Sequence, residues 1–272
     1  MSLHNFFVNL PLRYIYDGKE YLDYFLKHRI QPELGLDWLS VEEFPKSWHL
    51  EVADIFAKQG LKVSIHLPFL ELRPGALDPF ILEATRKRLL EAVDIAAVYS
   101  PVHSIAHIGY FPQEYDDFFS DWLVNSLTTW EMVLDRINER FPLFLENVYE
   151  LEPEPIKDLL SHLGSIRYLG FCLDIGHWFC FGKGSELGNL AQWLQLLGPF
   201  LKHLHLHDND GFDDKHLGLG AGNIPFVELF AGLEFLEISP TYTLEPHTKE
   251  DFDISVDFIN SHKYWFSLLS KK

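Results

Sequence analysis

His203-Leu204-His205-Leu206-His207-Asp208-Asn209-Asp210 is the stretch that decides how the rest of this chain is read. Histidine and leucine alternate through it. A strand alternates its side chains with period two, so three imidazoles project from one face. A row of imidazoles that ends in carboxylates suits a divalent transition metal. Taken alone, the same stretch would serve as a polar strand lining a solvated pocket. Metal binding is favoured because five other strand-like segments also end in a potential ligand.

Working outward, strand-like and helix-like segments alternate with almost no filler. Strand patterns fall at residues 6–10, 32–37, 61–67, 102–108, 143–148, 170–175, 201–207 and 242–245. Helical patterns fall at 19–28, 48–59, 78–99, 115–140, 153–163, 186–197, 224–233 and 250–268. Gly60 is a stop signal for the second helix, and Asp78-Pro79 is a sound start for the third. Strands alternating with helices imply a parallel sheet with helical crossovers. Eight such units in 272 residues predict an α/β fold closed into a (β/α)8 barrel, which needs about 250 residues. An open doubly wound sheet is the competing architecture. No linker or composition break interrupts the pattern, so residues 1–272 read as one domain.

Composition narrows the function. Apolar residues make up 47% and aromatics 15%, enough for a large packed core. The net charge of −18 opposes a sequence-blind nucleic-acid surface, which needs a basic stripe. Cys172 and Cys180 are too few for a disulfide framework and suit a reducing, cytoplasmic setting, with Cys172 read as a core thiol. Residues 1–10 lack the basic flank of a signal peptide. No uninterrupted apolar run reaches 18 residues, so no membrane partner is expected.

In a barrel, chemistry belongs at the C-terminal ends of the strands. Those ends carry His66, His107, Glu146 with Asn147, Asp174 with His177, His205 and His207, and Glu245. Each has a plain explanation singly: a strand-end His is commonly a hydrogen-bonded structural residue, and a strand-end Glu can cap a helix. Six successive strands ending this way are hard to assign to chance. Carboxylates with imidazoles and no thiolate favour Mn, Zn, Co or Mg. The loop after the His-rich strand adds Asp214-Lys215-His216 and then Gly218, Gly220 and Gly222. Those glycines do not open a helix after a first strand, so they read as a flexible loop over the site rather than a dinucleotide fingerprint.

His66, His107, Leu-Glu146-Asn, Leu-Asp174-Ile-Gly-His177, His205-Leu-His207-Asp208-Asn209, Asp214-Lys-His216 and Leu-Glu245-Pro together resemble the xylose-isomerase-like TIM barrel superfamily. That group includes sugar isomerases and epimerases, inosose dehydratases and type IV apurinic endonucleases. The resemblance implies a four-ligand metal site of Glu146, Asp174, His205 and Glu245. His66, His107, His177, Asp214 and His216 match the extra ligands of the three-metal endonuclease type. The register at the His-rich strand stays open by two residues, because both His205-x-x-Asp208 and His207-x-x-Asp210 fit.

The resulting expectation is a metal-dependent isomerase or epimerase of a small sugar or sugar phosphate, with one ion and up to three. Glu146 and Glu245 would move a proton next to a metal-chelated carbonyl, and His177 would hold a substrate oxygen. Phe69, Asn147, Trp178 and Lys215 are the candidate substrate contacts. The alternatives are an endonuclease-IV-like phosphodiesterase, which the extra ligands favour, and an inosose-dehydratase-like lyase. Against DNA as substrate, the loop after His66 is acidic and Pro-punctuated (Pro68 to Gly75), where the endonucleases carry a wedge that enters the duplex.

Overall fold

The computed structural model describes residues 6–164 and 168–267. Residues 1–5 of the N-terminal stretch, and residue 268 at the end of the last expected helix, lie outside them. Eight strands form a closed parallel barrel in chain order: β1 (Phe6–Pro11), β2 (Gln31–Gly35), β3 (Ser64–His66), β4 (Ser104–His107), β5 (Leu143–Glu146), β6 (Leu169–Asp174), β7 (Leu201–Leu206) and β8 (Thr241–Leu244). β1 pairs with β8, which closes the ring and excludes the open sheet.

One principal helix follows each strand: α1 (Glu20–His28), α2 (Lys46–Lys58), α3 (Pro79–Ala96), α4 (Phe119–Ile137), α5 (Glu154–Leu163), α6 (Leu190–Leu197), α7 (Phe226–Phe235) and α8 (Lys249–Ser261). The start of α3 is set locally: the Asp78 carboxylate accepts the N–H groups of Phe80 and Ile81 at 2.8 and 3.3 Å, and Pro79 fills a position whose N–H would go unused. Gly60 ends the second unit with a left-handed φ of 63°. Trp122, Trp130 and Trp193 are fully buried in the main apolar core.

The strand register places the chemistry. Partners across a parallel pair share a face, and His107 pairs with Glu146 while Asp174 pairs with His205. A register shift at Phe171/Cys172 adjusts β6 against β7. Such barrels usually fill their interior with branched aliphatics. Here the buried interior also holds Glu33, Ser64, His203, His205 and Thr243.

His203 and His205 share a face of β7 and His207 lies just past its end, so the three imidazoles are spread along the barrel axis rather than aimed at one point. His203 turns to the floor, its Nδ1 2.6 Å from Thr241 Oγ1 and its Nε2 2.8 Å from Thr243 Oγ1. Alternate strand residues lie about 6.6 Å apart, so His205 and His207 occupy successively higher levels. Both cysteines are free and buried. Among the described residues no helix is long and apolar enough to cross a membrane.

Candidate metal centre

At the C-terminal mouth, four carboxylates interleave with imidazoles. Glu146 is the hub. Its Oε2 lies 3.0 Å from His66 Nε2 and 3.5 Å from His107 Nε2, while its Oε1 lies 3.3 Å from His177 Nδ1 and 3.2 Å from His205 Nδ1. His205 Nδ1 also stands 3.4 Å from Glu245 Oε1 and 3.7 Å from Asp174 Oδ2. His205 therefore lies at the centre of these three carboxylates. His207 sits above it, with Nε2 3.2 Å from Asp174 Oδ1. Asp214 is the second hub: Oδ2 is 3.4 Å from His177 Nε2 and 3.0 Å from His216 Nε2, and Oδ1 is 3.6 Å from His207 Nδ1.

Backbone carbonyls orient three of these rings. A carbonyl oxygen can only accept, so a ring nitrogen beside it carries the proton. His66 Nδ1–H donates to the Leu67 carbonyl at 2.8 Å, His177 Nδ1–H to the Asn147 carbonyl at 3.1 Å, and His216 Nδ1–H to the Glu245 carbonyl at 2.8 Å. Their Nε2 atoms then face carboxylate oxygens. Two acceptors at about 3 Å repel unless a cation lies between them, either a proton on the imidazole or a metal ion.

This donor set fits a divalent metal. His205 Nδ1 and Nε2, His207 Nδ1, Asp214 Oδ1 and Glu33 Oε1 are buried and lack an aligned hydrogen bond, which is costly unless another partner satisfies them. Several groups of donor atoms lie close enough to share an ion, among them His66, Glu146 and His205; Glu33, His205 and Glu245; and His207, Asp214 and His216.

The electrostatics of the metal-free protein follow from the same contacts. Burial disfavours charge on Glu146, yet His205 and His107 hold its carboxyl well below the ordinary value. Burial likewise opposes protonation of His216, but Asp214 and Glu245 push it up to about 9. Burial dominates at Glu245 and raises its carboxyl. His216 also keeps a left-handed φ of 50°, an uncommon conformation for a side chain of this size that its two contacts sustain.

Local sequence explains two features. A Cβ at Gly176 would meet His207 Cε1 at 1.9 Å, so the glycine of Leu-Asp-Ile-Gly-His makes room for that ring. Asp208 is no ligand: its carboxylate accepts the N–H groups of Asn209, Gly220, Gly222 and Ile224 at 2.9–3.1 Å. The glycine loop expected to be flexible is therefore pinned to the end of β7.

Three expected substrate contacts are placed elsewhere. Asn147 is buried and exchanges two 3.0 Å hydrogen bonds with the backbone of Asp174, so it positions that strand end. Trp178 points away from the mouth, fully buried, its indole N–H donating to Asn189 Oδ1 at 3.0 Å. Lys215 lies on the surface paired with Asp210. Phe69 is where it was expected, on the cavity wall and stacked on His107 at 4.2 Å. Two residues were missed. Glu33 on β2 lies under the centre, its Oε1 3.0 Å from His205 Nε2 and its Oε2 accepting from Ser64 and Thr243 at 2.9 Å. His247 stacks on His216 at 4.0 Å.

A closed eightfold barrel with a carboxylate–imidazole cluster at its C-terminal mouth has the layout of a barrel enzyme. The chain belongs to the xylose isomerase-like TIM barrel family, whose model matches residues 32–262. An uncharacterized protein of Methanocaldococcus jannaschii is 27% identical over 192 residues, covering 68% of this chain and 64% of its own length. The chain thus matches just under two thirds of that relative. Among solved structures, the TTHB071 protein from Thermus thermophilus, soaked with ZnCl2, is 28% identical with a TM-score of 0.73, covering 94% of this chain and 97% of that one. A D-tagatose 3-epimerase-like protein shares the fold at a TM-score of 0.76 and 20% identity, covering 98% of each chain.

Proposed function

We propose that this chain is a metal-dependent hydrolase of a small phosphodiester, with more than one ion held at the barrel mouth. The supporting observation is that Glu146 presents each of its two oxygens to a different pair of imidazoles. A single ion takes roughly four to six donors. Ten side chains converge here, more than one ion would use, and Glu146 would be held between the two sets of imidazoles. Divalent ions at such a centre lower the pKa of water and neutralise charge on phosphoryl oxygens.

The chain's own residues do the rest. His66, His107 and Glu146 would form one side of the centre, Asp174, His205 and Glu245 its middle, and His177, Asp214 and His216 the other side. Glu245 would complete that middle beside His205, its Oε1 3.4 Å from Nδ1. Phe69, Phe111, Tyr149 and Phe181 line the approach and exclude water. Arg73 is the one cation among the described cavity residues, and Glu114 pairs with it at 3.1 Å. That poverty of cations, with the −18 charge, favours a small monoanionic diester over duplex DNA.

A second reading is the metal-dependent sugar isomerase or epimerase on one ion. Glu146 and Glu245 both approach His205 Nδ1, so they can flank one chelated sugar, and a fold neighbour is described as D-tagatose 3-epimerase-like. The deciding experiment counts ions per chain. It then compares nitrophenolate release from bis(4-nitrophenyl) phosphate with deuterium uptake by ketohexoses, both with Mn or Zn added. Two or three ions and ester cleavage are expected. One ion with deuterium uptake and no cleavage would give the site to the epimerase reading.

A further inference from the structure

A second cavity adjoins the metal centre and has no part in holding ions. The first cavity encloses about 610 Å³ over the carboxylate–imidazole cluster. The second, of about 720 Å³, lies in the cleft between α1 and α8. The two share Asn9, Leu10, Pro11 and His247 as lining residues, so the cleft adjoins the centre across these four residues.

The cleft is built for a flat, apolar occupant. Val8, Phe25 and Ile30 form buried parts of its lining, and Tyr14, Tyr21 and Tyr24 stand along it. The Tyr14 and Tyr21 rings pack 5.3 Å apart at 30°, yet remain 46% and 47% exposed, so ring surface is left uncovered. Its lysine, Lys249, is paired on the surface with Asp253. From the centre, His207, His216 and His247 stack in turn at 3.9 and 4.0 Å with nearly parallel planes. That row of rings leads from the ion cluster to the wall shared with the cleft.

We infer that the cleft between α1 and α8 binds one arm of the substrate, a flat aromatic or heteroaromatic ring system, while the phosphodiester sits at the metal centre. This assignment rests on the phosphodiester reading above. Aromatic surface on tyrosine gives an arm of that kind its affinity.

The test is calorimetric binding of diphenyl phosphate and dimethyl phosphate to the manganese-loaded full chain, with turnover of bis(4-nitrophenyl) phosphate measured separately. Diphenyl phosphate should bind about tenfold more tightly, in line with one or two ring contacts. Tyr14→Ala with Tyr21→Ala should erase that preference, and Tyr14→Phe with Tyr21→Phe should retain it, because ring surface and not the hydroxyl is used. Equal affinity for the two esters, or a preference that survives the double alanine change, overturns the assignment even if turnover is found. A ring preference without turnover supports the cleft and removes the hydrolase reading. Binding of neither ester removes both.

Discussion

Gly176→Ala should damage the site through one methyl group. The new Cβ would lie 1.9 Å from His207 Cε1 and 2.4 Å from its Nε2. Non-bonded carbons settle at about 3.5–4.0 Å, so the ring must retreat by at least about 1.5 Å. It has nowhere easy to go: His216 is stacked on it at 3.9 Å, and Asp174 Oδ1 lies 3.2 Å from its Nε2. Overpacking of this kind costs about 1–3 kcal/mol. Urea unfolding of the chelated protein should show that loss as a lower midpoint at unchanged slope. His205 lies one level deeper and does not meet the methyl, so ions bound through it should remain in a metal count. An unchanged midpoint would mean that His207 is not held where it is placed. Loss of every ion would mean that His207, and not His205, is the central ligand.

Other outcomes follow from the same contacts. Glu146→Gln removes the charge shared by four imidazoles and should lower the ion count by at least one; full occupancy in that variant would take Glu146 out of the ligand set. Asp208→Ala strands four backbone N–H groups and should cost about 3 kcal/mol or more, with new proteolytic cuts at 217–225; an uncut loop at wild-type stability would refute the pinning. His216 is raised from 6.5 to about 9 in the folded state, so its contribution, roughly 3 kcal/mol, is whole below pH 6.5 and lost as pH climbs to 9. Added Zn or Mn competes with those protons. The gap in melting temperature between loaded and chelated protein should therefore widen from pH 6 to 9, and a constant gap would show that the imidazoles do not carry the protons.

Much of the site was legible because a parallel barrel puts its ligands at strand ends, where a single residue can be read against the apolar strand before it. His66, His107, Glu146, Asp174 and His205 were found this way. The misplaced contacts share one cause. Asn147 follows Glu146 directly, Trp178 follows His177, and Lys215 sits between Asp214 and His216. Neighbours in an extended chain face opposite ways, and neighbours in a helical turn diverge by about 100°. Sequence adjacency to a ligand thus argues against sharing its cavity. Glu33 escaped notice for a different reason. It lies inside β2 rather than at its end, and an acid within Gln-Pro-Glu-Leu-Gly gives no sign that Ser64 and Thr243 from other strands will meet it.

Glu33 also bears on why this barrel tolerates so polar an interior. Burial penalises its charge, but His205, with His203 and His66, holds the carboxyl well below its usual value. The penalty on the acid is thus relieved by the same imidazole that faces Glu146 and Glu245. If His205 carries a proton, Glu33 sits beside a positive ring. If a metal ion takes Nδ1, Nε2–H remains directed at Glu33, the arrangement that fixes the orientation of a ligating histidine. Either occupant satisfies the acid, and neither requires the strands to move. A floor of branched aliphatics could not serve both states, because it would leave the inner nitrogen of His205 without a partner in each. The polar tier below the mouth is therefore part of the site and not a defect of the core.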